Sequence, residues 1–204
     1  MHVESNDPLV LTRILEPDIS LAVWQQQVTC LPYVEALLAL PWKLNLKSCL
    51  PLRGLEAKLA EDLPDLLERR VFVDQVAELS EMFACLFDLD QVGLRLQVLD
   101  QPMCPRFHVD RVLCRLSATF VGPGTQWLSH QQVNRDKLGH QHPAEDQLEG
   151  QLFAAGTQIQ QLKAGEVGLM KGSLWEGQDN LGLVHRSPSL AAGQRRLLLT
   201  LDLM

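Results

Sequence analysis

The stretch CPRFHVDRVLCRLSATFVGPGT, residues 104–125, decides the fold. Within it, Val112 to Val121 is a run rich in apolar and β-branched residues, and the turn sequence Gly-Pro-Gly-Thr follows directly at 122–125. A run of this kind that ends at glycine and proline is typical of a β-strand followed by a tight turn. The stretch therefore predicts a strand, and it places a histidine and an aspartate shortly before that strand.

A two-residue period extends on both sides of this strand, from Gly93 to the end of the chain. Leu94, Leu96 and Val98 alternate with other residues, and further short β-rich runs lie at 158–162, 167–170, 181–185 and 195–202. At least six short strands separated by turns, without long helices between them, predict an antiparallel sandwich or barrel. We expect a double-stranded β-helix, a jelly-roll or cupin-like barrel, over residues 93–204.

The region before Gly93 has a different period. From residue 16 to residue 90, apolar residues recur at steps of three and four, as at Val73, Val76 and Leu79, which predicts three or four amphipathic helices. Helix boundaries are expected at the prolines Pro32, Pro41, Pro51 and Pro64. The whole chain is therefore predicted to be α+β, with a helical region 1–92 that buttresses the barrel within one compact unit.

Composition excludes several function classes. The 204 residues include 46% hydrophobic and 21% charged residues, and the formal net charge is −7. An acidic chain without a basic stripe is not expected to bind nucleic acid. The first residues lack the basic and apolar regions of a signal peptide, and no apolar run is long enough to cross a bilayer.

Cysteine usage indicates the redox compartment. The chain has five cysteines, an odd number, with wide spacing and no CxxC pair, namely Cys30, Cys49, Cys85, Cys104 and Cys114. This pattern favours reduced thiols rather than a disulfide framework or a zinc finger. We therefore expect a cytoplasmic protein that does not associate with a membrane.

The densest chemical segment surrounds His108 and Asp110. Two residues at i and i+2 on a strand point to the same face, so an imidazole and a carboxylate can meet one ion. His185, near the end of a later predicted strand, supplies a third ligand. Two histidines and one carboxylate with open positions form the facial triad of non-haem Fe(II) oxygenases, whereas the same ligands with water also suit zinc.

A buried guanidinium is expected on the last strand. In RRLLLTLD, residues 195–202, Leu residues occupy every odd position after Arg195, and Arg196 shares the opposite face with Thr200. If the leucine face packs on the helices, Arg196 points into the barrel. There it can bind a carboxylate through two hydrogen bonds, and the Thr200 hydroxyl can add another. Arg195 is the alternate. Further candidates for an anionic ligand, with surface salt bridges as the competing role, are Arg106, Arg111, Arg115 and Arg135.

The order HxD, distant histidine, then arginine ten or eleven residues later resembles the double-stranded β-helix of the Fe(II)- and 2-oxoglutarate-dependent dioxygenases over residues 93–204. In that family the arginine on the last strand binds the far carboxylate of 2-oxoglutarate. The segments CPRFHVDRV, GPGT, LMKGSLWEG, LVHRSP and RRLLLTLD also resemble a bacterial family catalogued as a domain of unknown function.

The dioxygenase resemblance implies a specific chemistry. Fe(II), with zinc or manganese as alternatives, is held by His108, Asp110 and His185, and 2-oxoglutarate is bound by Arg196. Oxidative decarboxylation then gives succinate, and a C–H bond of an unidentified substrate is hydroxylated. Two alternatives remain open from the sequence: a non-catalytic zinc or iron binder in metal homeostasis that uses the same ligands, and a metal-free interaction module.

Several other residues are candidates with a plainer competing role. The polar stretch Ser129 to Gly150 is predicted to be a loop with a turn or two of helix, and it contains His130, His140 and His142, which are extra ligands or simply solvated. Cys104 and Cys114 flank the triad, but most such cysteines are small core residues. The aromatic residues Trp127 and Trp175 line the pocket mouth or pack in the core. The substrate and the oligomeric state do not follow from the sequence.

Overall fold

The computed structural model describes residues 1–26, 31–138, 149–176 and 182–204. Its helices are α1 (Leu31–Ala39), α2 (Leu55–Asp62) and α3 (Arg69–Phe87), and short 3-10 helices span Pro8–Leu15, His130–Gln132 and Arg135–Lys137. Its strands are β1 (His2–Ser5), β2 (Leu21–Trp24), β3 (Asn45–Pro51), β4 (Gln91–Leu99), β5 (Cys114–Val121), β6 (Gln126–Leu128), β7 (Gln160–Gln161), β8 (Val167–Lys171), β9 (Val184–Arg186) and β10 (Arg196–Leu203).

Within the described residues the strands form two sheets. The larger sheet has seven strands in the order β1-β2-β8-β5-β10-β4-β3, and the smaller sheet has three in the order β7-β6-β9. All neighbouring pairs are antiparallel except β1 with β2. Leu21 and Met170 of the larger sheet share an apolar cluster with Trp127 of the smaller sheet, so the two sheets pack face to face. The architecture is a mixed α/β fold of the jelly-roll type.

Strand β10, which lies beside the middle strand of the larger sheet, has one apolar face and one face that carries polar side chains. Leu197, Leu199 and Leu201 are fully buried and belong to the main core with the helices. Successive side chains on a strand point to opposite faces, so Arg196 and Thr200 lie on the barrel side. The predicted division of this strand into a leucine face and a polar face is confirmed.

The helices cover the outer face of the larger sheet. Helix α3 places buried residues three and four positions apart, including Phe72, Val76 and Phe83, which is the spacing of one helix face. Phe72 stacks on Tyr33 of α1 and tilts against Phe120 of β5, at centroid distances of 5.0 Å and 4.9 Å. These rings connect the helical layer to the sheet.

The prediction of an all-helical stretch from residue 16 to residue 90 is wrong in two places. Residues 21–24 form β2 and residues 45–51 form β3, and both strands join the larger sheet. In β2, Ala22 packs toward the helices while Leu21 and Val23 pack into the barrel. A strand buried on both faces has no polar alternation, and four apolar residues fit a helical period equally well.

Two further expectations can be compared with the described residues. Cys49, Cys85, Cys104 and Cys114 are free thiols, as expected, whereas Cys30 lies outside the described residues. No helix in the described part of the chain combines the length and the apolar character needed to cross a membrane.

The polar loop after β6 contains the two expected helical turns, at 130–132 and 135–137. The residues that follow this loop pack against the outer face of the smaller sheet, because Leu152 and Phe153 share a buried cluster with Phe107 and Val184. The Asn134 backbone N–H also donates to the Leu152 carbonyl, at 2.7 Å. This apolar cluster packs against the face of β9 opposite to His185, because Val184 points into the cluster.

Candidate metal centre

The two candidate histidines are brought together by the backbone. His108 and His185 form an isolated antiparallel bridge, in which each backbone N–H donates to the other residue's carbonyl at 3.0 Å and 2.9 Å. Their imidazole rings lie 4.6 Å apart between centroids. The bridge fixes two residues that are far apart in the sequence at neighbouring positions of the smaller sheet.

The carboxylate of Asp110 completes the group. Its Oδ1 lies 3.4 Å from His108 Nε2, and its Oδ2 lies 3.2 Å from His185 Nε2. The three potential ligand atoms are all within 4.8 Å of one another, and no other such group of three occurs among the described histidines, cysteines and acids. The structure therefore places the three predicted ligands around one point.

Hydrogen bonds orient both imidazoles for metal binding. His108 Nδ1 lies 2.9 Å from the Arg106 carbonyl, and His185 Nδ1 lies 3.1 Å from the Leu183 carbonyl. A carbonyl only accepts, so each Nδ1 carries the proton and, in the neutral ring, each Nε2 presents its lone pair toward Asp110. Metal-binding histidines in proteins have this arrangement, with the second ring nitrogen donating to a backbone carbonyl or carboxylate.

Burial and neighbouring charges control the state of the Asp110 carboxyl. Desolvation by burial acts to raise its pKa, but in the metal-free site hydrogen bonds donated by the protonated Nε2 atoms of His108 and His185, together with nearby positive charge that includes Arg115, outweigh burial and hold the pKa well below its usual value. A metal ion takes the place of these Nε2 protons, and the neutral rings then present their lone pairs to it. At His108, burial acts to lower the pKa, yet the hydrogen bond with Asp110 raises it above the usual value. Asp110 is therefore a carboxylate at neutral pH, the form that binds metal.

The backbone of the Asp110 segment is held by a close approach at Gly172. The Ser173 N–H donates to the Asp110 carbonyl at 2.8 Å, and the Gly172 N–H donates to the Leu113 carbonyl at 2.8 Å. A Cβ at position 172 would lie only 2.0 Å from the Val112 carbonyl oxygen. Only glycine fits there, and this is the structural role of the glycine in the segment LMKGS.

Two guanidiniums, that of Arg115 partly buried and that of Arg196 fully buried, lie on the barrel side of the larger sheet. Arg115 donates to Asp202 through Nε and Nη2, at 2.6 Å and 2.8 Å, and to Asp110 through Nη1 at 2.5 Å. Burial acts to lower its pKa, but its two carboxylate partners raise it above the usual value. Arg115, a predicted anion-binding residue, is thus already paired with two acids.

Arg196 is in the opposite situation. Its side chain is 1% exposed, its Nη2 donates to Thr119 Oγ1 at 3.0 Å, and its Nε has no hydrogen-bond partner within the described structure. Burial lowers its pKa to about 10. A buried cation without a carboxylate beside it is costly, so this environment suits an anionic ligand.

The cavity beside the triad is small, with a volume of about 60 Å³. Besides the triad and Arg115, its walls include Met103, Cys104, Ser117, Thr125, Leu198 and Thr200. Thr200 was predicted to face this space. The sequence did not predict that Ser117 and Thr125 also line it, with their hydroxyl oxygens 3.4 Å apart. The GPGT motif marked Thr125 as a turn residue, and its pairing with Ser117 depends on how the turn folds back.

Other predicted candidates lie elsewhere. Arg195 points away from the barrel, and its Nη1 donates to the carbonyls of Leu38 and Leu40 at 2.7 Å and 2.9 Å. Arg135 donates through Nη2 to the Gly182 carbonyl and to His130 Nδ1, at 2.8 Å and 3.0 Å. Arg111 is exposed and Arg106 is partly buried, and neither lines the cavity.

Of the histidine, cysteine and tryptophan candidates described in the structure, one lines the cavity and the others lie outside it. His130 is outside the triad, and His140 and His142 lie outside the described residues. Cys104 lines the cavity, whereas Cys114 is fully buried and desolvation raises its pKa to about 12. The tryptophans are packing residues, since Trp127 belongs to the barrel core and Trp175 packs edge-on against Phe87.

Comparison with family models decides the membership of the chain. The model described as protein of unknown function (DUF1826) matches residues 5–202. The chain is a member of DUF1826. No curated protein sequence matches this DUF1826 chain.

Solved structures similar to the DUF1826 chain share its fold. Dioxygenase for auxin oxidation 1 from Arabidopsis thaliana, in a binary complex with 2-oxoglutarate, gives a TM-score of 0.53 at 9% identity, covering 100% of this chain and 91% of that chain. The dioxygenase for auxin oxidation of rice gives 0.52 at 11% identity, covering 96% and 76%. Both resemblances found in the sequence are confirmed, one for the family and one for the fold.

Proposed function

We propose that this DUF1826 protein is an oxygenase that uses Fe(II) and 2-oxoglutarate. One observation carries the proposal: a His-Asp-His triad and a buried guanidinium that has no carboxylate partner among the described residues lie on the barrel side of the same jelly roll. The dioxygenases with the same fold support the proposal as an analogy. The triad alone fits many metals. Arg196 lies on the same side of the sheet but is not part of the cavity wall, and its buried charge is one that an anionic ligand would compensate.

The residues have distinct roles in this proposal. His108, Asp110 and His185 would hold the metal, which on binding supplies the redox chemistry that couples O₂ activation to decarboxylation of 2-oxoglutarate into succinate and CO₂. Zinc and manganese also suit these ligands. Arg196 would bind the far carboxylate of 2-oxoglutarate, and the Thr119 hydroxyl, which accepts one of its N–H groups, holds the guanidinium in place.

The primary substrate would enter near Met103 and Cys104. Met103 is 45% exposed, Cys104 is also exposed, and both line the cavity beside the triad. The expected reaction is hydroxylation of a C–H bond, which is what the analogy with the 2-oxoglutarate-dependent dioxygenases implies. Apolar walls such as Leu198 exclude water from the cavity.

Succinate release tests the proposal before the substrate is known. Protein purified without oxygen receives Fe(II), 2-oxoglutarate and then air, and succinate is measured for the wild type, His108→Ala and Arg196→Ala. Arg195→Ala is the matched control, because its side chain binds α1 carbonyls on the opposite face. We expect slow succinate formation in the wild type and in the control, and none in the other two variants. Equal succinate formation in all four proteins would overturn the proposal.

The small cavity favours a second candidate, a non-catalytic metal binder. Ligand pockets usually measure roughly 300 to 1,000 Å³, whereas the space beside the triad is about 60 Å³. A carrier or sensor of zinc or iron needs only the three ligands and water. Stoichiometric metal that is lost in His108→Ala, without binding of 2-oxoglutarate, would establish this function instead. A preparation that binds no metal at all would rule out both candidates and leave an interaction module.

A further inference from the structure

We propose that Arg115 and Asp202 form a positioning pair that holds the metal-binding carboxylate of Asp110, an inference that rests on the proposed metal function. Arg115 uses three N–H groups on two carboxylates: Nε and Nη2 bind Asp202, and Nη1 binds Asp110 Oδ2. The two parallel bonds to Asp202 are the bidentate geometry that fixes a guanidinium most firmly. Asp202 thereby orients Arg115, and Arg115 orients Asp110.

The Asp110 side chain depends on such an external support. Asp110 lies in the connection between β4 and β5, outside the regular strands, so no sheet ladder fixes its side chain. Arg115 and Asp202, in contrast, are paired residues of β5 and β10, adjacent strands at the centre of the larger sheet. The pair therefore transfers the rigidity of the sheet to a ligand that belongs to a loop.

Burial makes the pair effective. The side chains of Asp110, Arg115 and Asp202 are 16%, 15% and 10% exposed. Ionic hydrogen bonds are stronger in such a site than at the surface, where water competes for the same groups. Arg95 contacts Asp202 as well, at 3.4 Å, but its side chain is 41% exposed. Arg95 is thus a peripheral neighbour of the same carboxylate.

The pair also favours one mode of metal coordination by the Asp110 carboxylate, through one oxygen and not both. Because Arg115 binds Oδ2, that oxygen has less electron density to share with a metal, which favours coordination through one carboxylate oxygen. One-oxygen binding leaves more positions of the metal open, as a facial triad requires. The positioning pair therefore contributes to the geometry of the site as well as to its affinity.

Co(II) binding tests the proposal with a readout that a merely structural role would not change. Metal-free wild type, Asp202→Asn, Arg115→Gln and the double variant are titrated with Co(II), and both the Kd and the visible absorption bands are recorded. We expect Asp202→Asn and Arg115→Gln to bind Co(II) about 10- to 100-fold more weakly, with altered bands. Since the two residues act as one unit, the double variant is expected to match Arg115→Gln within about twofold.

Two control variants separate positioning from general damage. Arg95→Gln removes the exposed neighbour of Asp202 and is expected to change the Co(II) Kd by no more than about twofold. Asp202→Glu restores the charge and is expected to recover part of the affinity and the wild-type bands, even if Asp202→Asn is less stable. Unchanged Kd and bands in Asp202→Asn and Arg115→Gln, with Co(II) binding lost in His108→Ala, would overturn the positioning pair and leave the proposed function intact. A wild type that binds neither Co(II) nor Fe(II) would overturn both.

Discussion

Arg115, which is partly buried, and Arg196, which is fully buried, lie on the same side of the larger sheet, and they differ in whether a carboxylate lies beside the guanidinium. Arg115 has Asp110 and Asp202 within hydrogen-bond distance, whereas Arg196 donates to the Thr119 hydroxyl and has no carboxylate partner in the described parts of the chain. Folding therefore stabilises the charge of the first guanidinium and leaves that of the second poorly compensated. A residue that costs stability in the free protein is a candidate for ligand binding, and this difference separates the two roles.

The substitution Arg196→Met is expected to change stability and ligand binding in opposite directions. Replacing a buried unpaired charge by an apolar side chain of similar length is neutral or stabilising, so the free energy of unfolding should stay equal or rise by ~1 kcal/mol. Binding of 2-oxoglutarate to Co(II)-loaded protein should weaken at least ~30-fold, because loss of one partner of a buried charge pair costs about 2–5 kcal/mol. Urea unfolding and calorimetry measure the two effects. A variant that is strongly destabilised but binds 2-oxoglutarate normally would assign Arg196 a structural role.

Thiol reactivity provides a second test at the scale of single residues. Burial raises the pKa of Cys114 to about 12 and also raises the pKa of Cys104. A raised pKa means less thiolate at a given pH, and the thiolate is the reactive form. In native protein at about pH 8, iodoacetamide should label exposed Cys49 and Cys85 first, Cys104 more slowly, and Cys114 only after unfolding. Peptide mass spectrometry over time gives the order, and early labelling of Cys114 would contradict its burial.

At the scale of elements, the polar and apolar faces of β10 are predictable from the sequence because one face is all leucine and the period is two. The sequence also predicts the three residues of the triad, but it does so by assuming that HxD lies on a strand, whereas Asp110 lies outside the regular strands. β2 is not predictable, because Leu21-Ala22-Val23-Trp24 is apolar on both faces and gives no period. β3 alternates in burial, since Leu46, Ser48 and Leu50 are more buried than their neighbours, but the sequence does not show this because the inward residue Ser48 is polar. The partners of Arg115 depend on tertiary contacts that no local pattern contains.

Gly172→Ala tests the contact between two elements that positions Asp110. The added Cβ would lie 2.0 Å from the Val112 carbonyl and 2.8 Å from the Asp110 carbonyl, both backbone atoms that cannot turn away. The end of β8 must therefore move away from the ligand segment, at a cost of about 3 kcal/mol, and Co(II) affinity should fall with it. Gly54→Ala is the control: no atom lies within 4 Å of its Cβ, although its φ of +81° carries a smaller strain. Similar metal affinity in both variants would show that the close approach does not position Asp110.

At the scale of the whole molecule, the candidate site connects parts of the chain that are far apart in the sequence and lie in different sheets. His108 and Asp110 lie in the connection between two strands of the larger sheet, whereas His185 lies on β9 of the smaller sheet. A metal bound by all three would join the two sheets at the open side of the barrel. Metal binding is then coupled to the stability of the whole fold, since the unfolded chain does not hold the three ligands together.

Thermal unfolding measures this coupling and separates the two candidate functions. Metal in hundredfold excess over its Kd stabilises the folded state by about 2.7 kcal/mol, which for a chain of this length raises Tm by roughly 5–10 °C. We expect this rise with Co(II) or Zn(II) in the wild type and in His130→Ala, whose imidazole lies outside the triad, and its loss in His108→Ala. An oxygenase should gain a further rise from 2-oxoglutarate, dependent on the metal and absent in Arg196→Met. A metal carrier should show the first rise alone, because the guanidinium would then have no ligand to bind. An equal rise in His108→Ala would locate the stabilising metal elsewhere, since that variant lacks one of the three side chains of the triad.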